Sequence, residues 1–175
     1  MLNFDYTIPT SLSPAHVWHL LTQSLIDSTQ SMLWPDDLET IKGDVSLGKG
    51  SVLESTYKLG PIRTHQTYRL TTFDRTAREL VYRTRPGHPL VGGGHITLRP
   101  YGESGCKIHW RGAYARKLSL TSLGAAWFTE YYFKERFFDT LKRNLRRIEE
   151  ATHAASSMQG TAAANTSEQA STYAS

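Results

Sequence analysis

The segment that most constrains the fold lies near the C-terminus, at residues 124–152. It reads GAAWFTEYYFKERFFDTLKRNLRRIEEAT and contains no proline. Its apolar side chains recur at steps of three, four and seven residues, which predicts a helix with one buried face formed by Trp127, Tyr131, Phe138, Leu141, Leu145 and Ile148. At 1.5 Å per residue such a helix is roughly 43 Å long. Strand-like segments precede it, and a long aromatic helix laid across a curved antiparallel sheet can enclose a cavity.

The rest of the chain predicts a strand, two short helices and six further strands. Residues 3–8 alternate as a first strand, and Ser13-Pro14 is a strong helix start because serine caps the helix and proline is favoured at its first position. We expect one helix from Pro14 to about Thr22 and a second over 24–32. The later strands are predicted at 41–47, 51–59, 62–73, 78–85, 95–101 and 106–116. Their short turns indicate an antiparallel meander.

We expect one domain over residues 1–153 and a disordered tail over 154–175. The tail is rich in Ala, Ser and Thr and has too few large apolar residues to bury a core.

No apolar run approaches the roughly 20 residues of a membrane span, and no signal peptide is visible. The single cysteine, Cys106, fits a reducing cytoplasm. A net charge of +4 without a recognised nucleic-acid module gives no reason to expect nucleic-acid binding.

The predicted order of elements, with the stretches SLSPAHVWHLLT, IKGDVSLGKGSVLESTYKLG and GCKIHW and the final aromatic helix, resembles the START/Bet v 1-like (SRPBCC) superfamily. This superfamily includes polyketide cyclase/dehydrase-like and lipid-transport proteins. The resemblance implies an α+β helix-grip fold, in which a curved antiparallel sheet of about seven strands wraps around the long C-terminal helix. It implies a hydrophobic small-molecule ligand, since members of the superfamily bind sterols, lipids, polyketides, hormones or cofactors. For this chain we expect no cofactor and no metal.

Strand alternation predicts which side chains face the interior. Several tyrosines share that face, and a buried tyrosine usually needs a hydrogen-bond partner for its hydroxyl. We therefore predict a pocket that is apolar in body and carries hydrogen-bonding groups, as small-molecule sites generally do. The predicted ligand-binding residues are Tyr57, Gln66, Tyr68, Tyr82, Trp110 and Tyr114 from the strands, with Phe128, Tyr131 and Tyr132 from the helix. The alternative is that these rings only fill the core.

Reactive residues are few. Glu135 is the candidate for acid–base chemistry, because a carboxyl buried among rings has a raised pKa; the alternative is a surface glutamate paired with a neighbouring cation. The histidines form no metal signature. The glycine-rich stretch 89–95 is expected to be a hairpin that could cover the cavity mouth. The cations Lys142, Arg143, Arg146 and Arg147 are expected at the helix C-terminus, where they favour the helix dipole, with an anionic membrane or a carrier protein as the alternative.

Three functions are compatible with these residues. The leading hypothesis is a cytoplasmic protein that binds a hydrophobic or aromatic small molecule, lipid or polyketide-like, between sheet and helix. The second is a polyketide cyclase/aromatase-type enzyme that folds a bound chain, with Gln66 orienting it and a tyrosine or Glu135 moving protons. The third is a stress or regulatory interaction protein whose cavity is incidental.

Overall fold

A computed structural model describes residues 1–29, 31–36, 38–59, 62–88, 90–116, 123–124, 126–127, 130–131 and 136–172. Within these ranges the chain forms one curled antiparallel sheet and two helices with defined bounds, and residues 123–124, 126–127 and 130–131 are also helical. The strands are β1 (Leu2–Thr10), β2 (Leu38–Gly43), β3 (Val52–Leu59), β4 (Ile62–Asp74), β5 (Glu79–Thr84), β6 (Leu90–Tyr101) and β7 (Gly105–Arg116). The helices are α1 (Pro14–Ile26) and α2 (Phe138–Thr172).

The sheet has the strand order β1-β7-β6-β5-β4-β3-β2. Each strand from β2 to β7 pairs with the next in the chain, so these six strands form a meander, as the short turns predicted. β1 closes the order by pairing with β7 along its full length, from Leu2 opposite Tyr114 to Thr10 opposite Cys106. The predicted helix-grip fold with a seven-stranded sheet is confirmed.

One helix stands where two short helices were predicted after β1. The Ser13 hydroxyl accepts a hydrogen bond from the His16 backbone N at 3.3 Å, and Pro14 opens the helix as expected. No proline or glycine interrupts the chain at the predicted break, and the Ser24 hydroxyl bonds the Leu21 carbonyl inside the helix at 2.7 Å. The helix ends at Asp27, whose backbone is extended. Bends then lead to β2, which begins three residues earlier than predicted.

The strands alternate between buried and exposed side chains as predicted. On β4, Gln66, Tyr68 and Leu70 are buried while Arg69 is exposed, and the same period holds on β3, β5 and β7. The inner face of the sheet therefore carries the large apolar side chains. α1 and α2 cover that face, and together they enclose the hydrophobic core.

The buried face of the last helix is shorter than predicted. Phe138, Leu141 and Leu145 are buried. Trp127 and Tyr131, however, are 68% and 49% exposed, and their rings stack on each other at 5.5 Å. A π-helical turn at residues 136–137 explains the difference, because its extra residue shifts the helical phase, so the stripe does not continue through it.

The C-terminal end of α2 also differs from the prediction. Glu149 anchors the helix to the end of β1, since one carboxylate oxygen accepts the Thr10 hydroxyl at 2.5 Å and the Ser11 backbone N at 2.6 Å. The helix then continues through the predicted tail to Thr172, consistent with the good helix propensity of alanine. That the segment 154–175 is dispensable to the domain stays a prediction.

The cluster of cations on α2 lies near its beginning. The helix starts at Phe138 and ends at Thr172, so Lys142, Arg143, Arg146 and Arg147 occupy its first three turns rather than its C-terminus. The expectation that they stabilise the negative end of the helix dipole is therefore wrong, because that effect is confined to the last turn.

In the part of the chain that the structure describes, none of the helices has both the length and the apolar character needed to span a membrane.

Candidate functional site

A small cavity lies between the inner face of the sheet, α1 and Phe137, the residue that precedes α2. Its volume is about 60 Å³. Aliphatic side chains form one part of its wall: Leu25, Leu38, Ile41, Leu53, Leu80 and Ile96. Aromatic rings form the rest: Trp34, Tyr57, Tyr68, Tyr82, Trp110 and Phe137. Ser55 adds a hydroxyl, so the cavity is apolar with a few hydrogen-bonding groups at its surface.

Strand register brings the polar rings together. Leu53 of β3 stands opposite Tyr68 of β4, and Ser55 stands opposite Gln66. The Tyr68 ring meets the Tyr82 ring of β5 edge-on, with centroids 5.3 Å apart. Trp110 of β7 reaches Tyr82 across the intervening strand β6. Side chains of β3, β4, β5 and β7 thus point to one region.

Hydrogen bonds between these side chains satisfy their polar atoms. The Tyr68 hydroxyl donates to Gln66 Oε1, and Trp110 Nε1 donates to the Tyr82 hydroxyl at 3.0 Å. The Tyr82 hydroxyl is also hydrogen-bonded to that of Tyr114. Because buried polar groups are costly when unbonded, this network allows phenols to occupy an apolar interior. It also fixes the directions in which the hydroxyls point.

Burial keeps the tyrosine hydroxyls protonated. Loss of hydration raises the pKa of Tyr57, Tyr68, Tyr82 and Tyr114 above the ordinary value of 10.0. Repulsion from neighbouring tyrosines raises the pKa of Tyr68 and Tyr114 further. At neutral pH these groups are therefore neutral phenols, each with a single O–H donor. The O–H of Tyr68 is already bonded to Gln66, so a ligand oxygen that accepts it must replace this partner.

The glycine-rich stretch is part of the sheet, not a hairpin over the cavity. β6 begins at Leu90, and Gly94 pairs with Tyr82 of β5 and with Gly112 of β7. A Cβ on Gly94 would lie 2.3 Å from the Tyr82 hydroxyl oxygen. The missing side chain therefore makes room for the Tyr82 ring, which is why the prediction of a flexible loop was wrong.

The structure reveals three site residues that the sequence did not identify. Trp34 and Phe137 line the cavity, but they were not among the predicted ligand-binding residues. His88 is only 7% exposed, and its ring centroid lies 5.5 Å from that of Tyr68. His88 Nδ1 lies 3.0 Å from the Leu90 backbone N. A single histidine in a Pro-Gly-His-Pro turn carries no periodic signal of burial, so sequence reasoning could not find it.

The predicted ligand-binding residues divide into three groups. Tyr57, Tyr68, Tyr82 and Trp110 line the cavity, while Gln66 and Tyr114 hydrogen-bond to these rings. Tyr131 is exposed and stacks on Trp127, so the structure does not bring it to the cavity. Phe128, Tyr132 and Glu135 lie outside the described residues. The role of the cavity residues in binding a ligand stays a prediction.

The remaining reactive side chains have separate partners. His65, His95 and His109 do not converge, since their ring nitrogens lie close to Thr56 (3.0 Å), Glu79 (2.9 Å) and Asp5 (2.7 Å) respectively. In the part of the chain that the structure describes, no group of three or more His, Cys, Asp or Glu residues could hold a metal. Cys106 is buried, and loss of hydration raises its pKa to about 11.

Comparisons with known proteins agree with this architecture. A family model described as polyketide cyclase/dehydrase and lipid transport matches residues 1–150. No curated protein matches the chain. Among solved structures, the Zhui aromatase/cyclase from Streptomyces sp. R1128 is 15% identical with a TM-score of 0.63, over 86% of this chain and 97% of that one. Norcoclaurine synthase from Thalictrum flavum is 14% identical with a TM-score of 0.61, over 84% and 85% of the two chains. A protein from Thermus thermophilus is 14% identical with a TM-score of 0.64, over 89% and 99%.

Proposed function

The chain belongs to the polyketide cyclase/dehydrase and lipid-transport family, and from this premise we propose that it binds a hydrophobic or aromatic small molecule between the sheet and α2. The observation that carries the proposal is the ring of buried tyrosines around the apolar cavity. Tyr57, Tyr68 and Tyr82 reach it from three strands. A core that had only to be filled would not need so many phenols, each of which must be hydrogen-bonded when buried.

The chemistry of the wall indicates how the ligand is recognised. Aliphatic and aromatic side chains supply affinity, since removing apolar surface from water contributes roughly 25 cal/mol per Å². The tyrosine hydroxyls supply orientation, because a ligand oxygen that replaces one of their protein partners accepts an O–H group held in a fixed direction. A flat molecule with one or two acceptor oxygens matches this wall best.

The volume of the cavity sets a further condition. At about 60 Å³ it has room for about two water molecules at roughly 30 Å³ each. A larger ligand must therefore displace part of the wall. Phe137 is the side chain best placed to move, because it lies in the π-helical turn that precedes α2. Its ring packs against Trp34 at 6.0 Å and against Trp110 at 5.4 Å.

A second candidate function is a polyketide cyclase-like activity on the bound molecule. The observation that favours it is the bonded pair of Tyr68 and Gln66, since a substrate carbonyl that replaced Gln66 as the acceptor of the Tyr68 hydroxyl would be polarised and held in one orientation. The likeness to an aromatase/cyclase supports the fold for such an activity. Turnover of a cyclisable substrate that depends on Tyr68, with Tyr68→Phe retaining the fold, would favour this candidate over simple binding.

The test of binding uses the fluorescence of N-phenyl-1-naphthylamine, an uncharged aromatic probe. Leu80 lines the cavity, so Leu80→Phe fills the space the probe needs and is expected to weaken its binding at least ~10-fold. The matched control is Leu98→Phe, a similarly buried leucine outside the cavity wall, which tests overpacking alone. Equal probe binding by the native protein and Leu80→Phe, or no binding by the native protein, would refute the proposal.

A further inference from the structure

A positively charged groove lies along the first turns of α2, beside the turn that follows Trp34. Its volume is about 630 Å³. We call it the basic groove, and its basic side chains are Arg136, Lys142, Arg143 and Arg146. Pro35, Asp36, Asp139 and Thr140 complete it. With four basic and two acidic residues, the groove is positive overall.

Three of the four cations of the basic groove have, among the residues that the structure describes, no structural partner that explains their charge. Lys142, Arg143 and Arg146 form no ion pair with another residue of the described part of the chain. Their place near the beginning of α2 gives no favourable interaction with the helix dipole. Like charges gathered on one surface repel each other, so an anion bound among them would be stabilised.

The groove is held in shape by hydrogen bonds. The amide of Asn144 donates to the Trp34 carbonyl at 3.1 Å and to the Leu33 carbonyl at 3.4 Å, which fixes the turn against α2. The Arg143 guanidinium donates to the Thr140 hydroxyl at 2.9 Å, so this side chain lies along the helix beside the groove. One wall and one cation are therefore positioned in advance.

The basic groove and the cavity share a wall. Trp34 and Phe137 line the cavity, whereas their chain neighbours Pro35 and Arg136 line the groove. The rings of Trp34 and Phe137 lie 6.0 Å apart. A pair of rings thus separates an apolar site from a cationic site, and movement of Phe137 would join them.

We propose that the basic groove binds the anionic head group of the ligand whose apolar body occupies the cavity, so that the ligand class is an amphiphile with a phosphate or carboxylate. This inference rests on the proposed function. Guanidinium groups suit such a head group, because their planar forks donate two parallel hydrogen bonds to a phosphate or a carboxylate. The tyrosines then contact the body of the ligand, and the arginines select its charged end.

Two probes with the same aromatic body test the inference. 8-Anilino-1-naphthalenesulfonate carries an anionic group that N-phenyl-1-naphthylamine lacks. We expect the native protein to bind the sulfonate at least ~10-fold more tightly, and Arg143→Gln with Arg146→Gln to abolish that preference without weakening the uncharged probe. The matched control, Arg99→Gln with Arg147→Gln, removes the same charge from outside the groove and is expected to keep the preference.

The outcomes separate this inference from the proposed function. If both probes bind equally well, or if the control variant loses as much preference as the groove variant, the basic groove is not a head-group site although the cavity binds. If neither probe binds, the proposed function fails and the inference fails with it. Competition with dodecyl phosphate, dodecanoate and dodecanol identifies the head group. The anion that displaces the sulfonate probe at the lower concentration carries the preferred head group. Equal competition by the alcohol would overturn the inference.

Discussion

Phe137→Ala should enlarge the small cavity so that it binds benzene without displacement of a side chain from its wall. Phe137 is 2% exposed and lines the cavity of about 60 Å³. Its ring occupies roughly 100 Å³, and cavity formation costs about 24 cal/mol per Å³, or about 2.4 kcal/mol here. Loss of the buried apolar surface adds about 2 kcal/mol. The expected loss in the free energy of unfolding is therefore about 4 kcal/mol, within the range of about 3–5 kcal/mol known for Phe→Ala in cores.

The enlarged cavity would measure roughly 160 Å³, and engineered apolar cavities of about 150 Å³ stay dry and bind benzene or xenon. Benzene should therefore restore part of the stability of Phe137→Ala, by about 2.7 kcal/mol at a concentration of 100 times its Kd. Urea denaturation with and without benzene measures both quantities. The native protein should gain less, because benzene must first displace the Phe137 ring there.

Phe138→Ala is the matched control. Phe138 is buried to the same degree, but it does not line the cavity. Its ring stacks on the half-buried Tyr6 with centroids 3.7 Å apart, so we expect the Tyr6 ring to move into the space that Phe138 leaves. We expect a similar loss of stability without rescue by benzene. Equal rescue of both variants, or no rescue of Phe137→Ala, would refute the placement of the cavity.

Three further predictions concern the ionisation of the tyrosines, the reactivity of Cys106 and the residues after His153. The four tyrosines with raised pKa, out of nine in the chain, should not ionise until the protein unfolds, as followed by tyrosinate absorbance at alkaline pH. Because only the unfolded state ionises them above pH 10.0, stability should be full below that pH and fall as the pH rises beyond it; nine tyrosines titrating together near pH 10.0 would contradict this. Cys106, with a pKa of about 11, should be about 0.1% thiolate at pH 8 and should react with iodoacetamide only on unfolding; rapid native labelling would show that it is accessible. A chain ending at His153 should keep the melting temperature of the full chain, since Glu149 and His153 contact Thr10 and Ser11 before the predicted tail begins; a loss of several degrees would show that residues 154–175 pack against the domain.

The inner face of the sheet could be predicted from the sequence because its signal is local. Alternation with a period of two residues assigns each side chain of a regular strand to one face, and a charged partner such as Arg69 marks the outer face. Tyr57, Tyr68, Tyr82 and Trp110 were placed correctly for this reason. The order of the elements followed from alternation, caps and turns, and the family resemblance that this order carried supplied the fold.

The features that the sequence did not predict depend on contacts and helix irregularities that the spacing of apolar residues does not indicate. The π-helical turn at 136–137 breaks the phase of the long helix, so Trp127 and Tyr131 were assigned to the wrong environment. The glycines of β6 were mistaken for a loop, because a close approach between Gly94 and the Tyr82 ring is a tertiary contact. The size of the cavity depends on how far Phe137 and Trp34 fill it, which only the assembled core decides.

The most direct test of ligand binding in this cavity is solution NMR with the isoleucine and leucine methyl groups labelled with ¹³C and N-phenyl-1-naphthylamine bound. We expect intermolecular nuclear Overhauser effects from the probe to the methyl groups of the cavity wall, those of Leu25, Leu38, Ile41, Leu53, Leu80 and Ile96. We expect none to Leu98 or Leu70, which are buried outside the wall. Overhauser effects confined to surface methyls such as those of the exposed Leu123, or a bound probe with none to the cavity, would contradict the account.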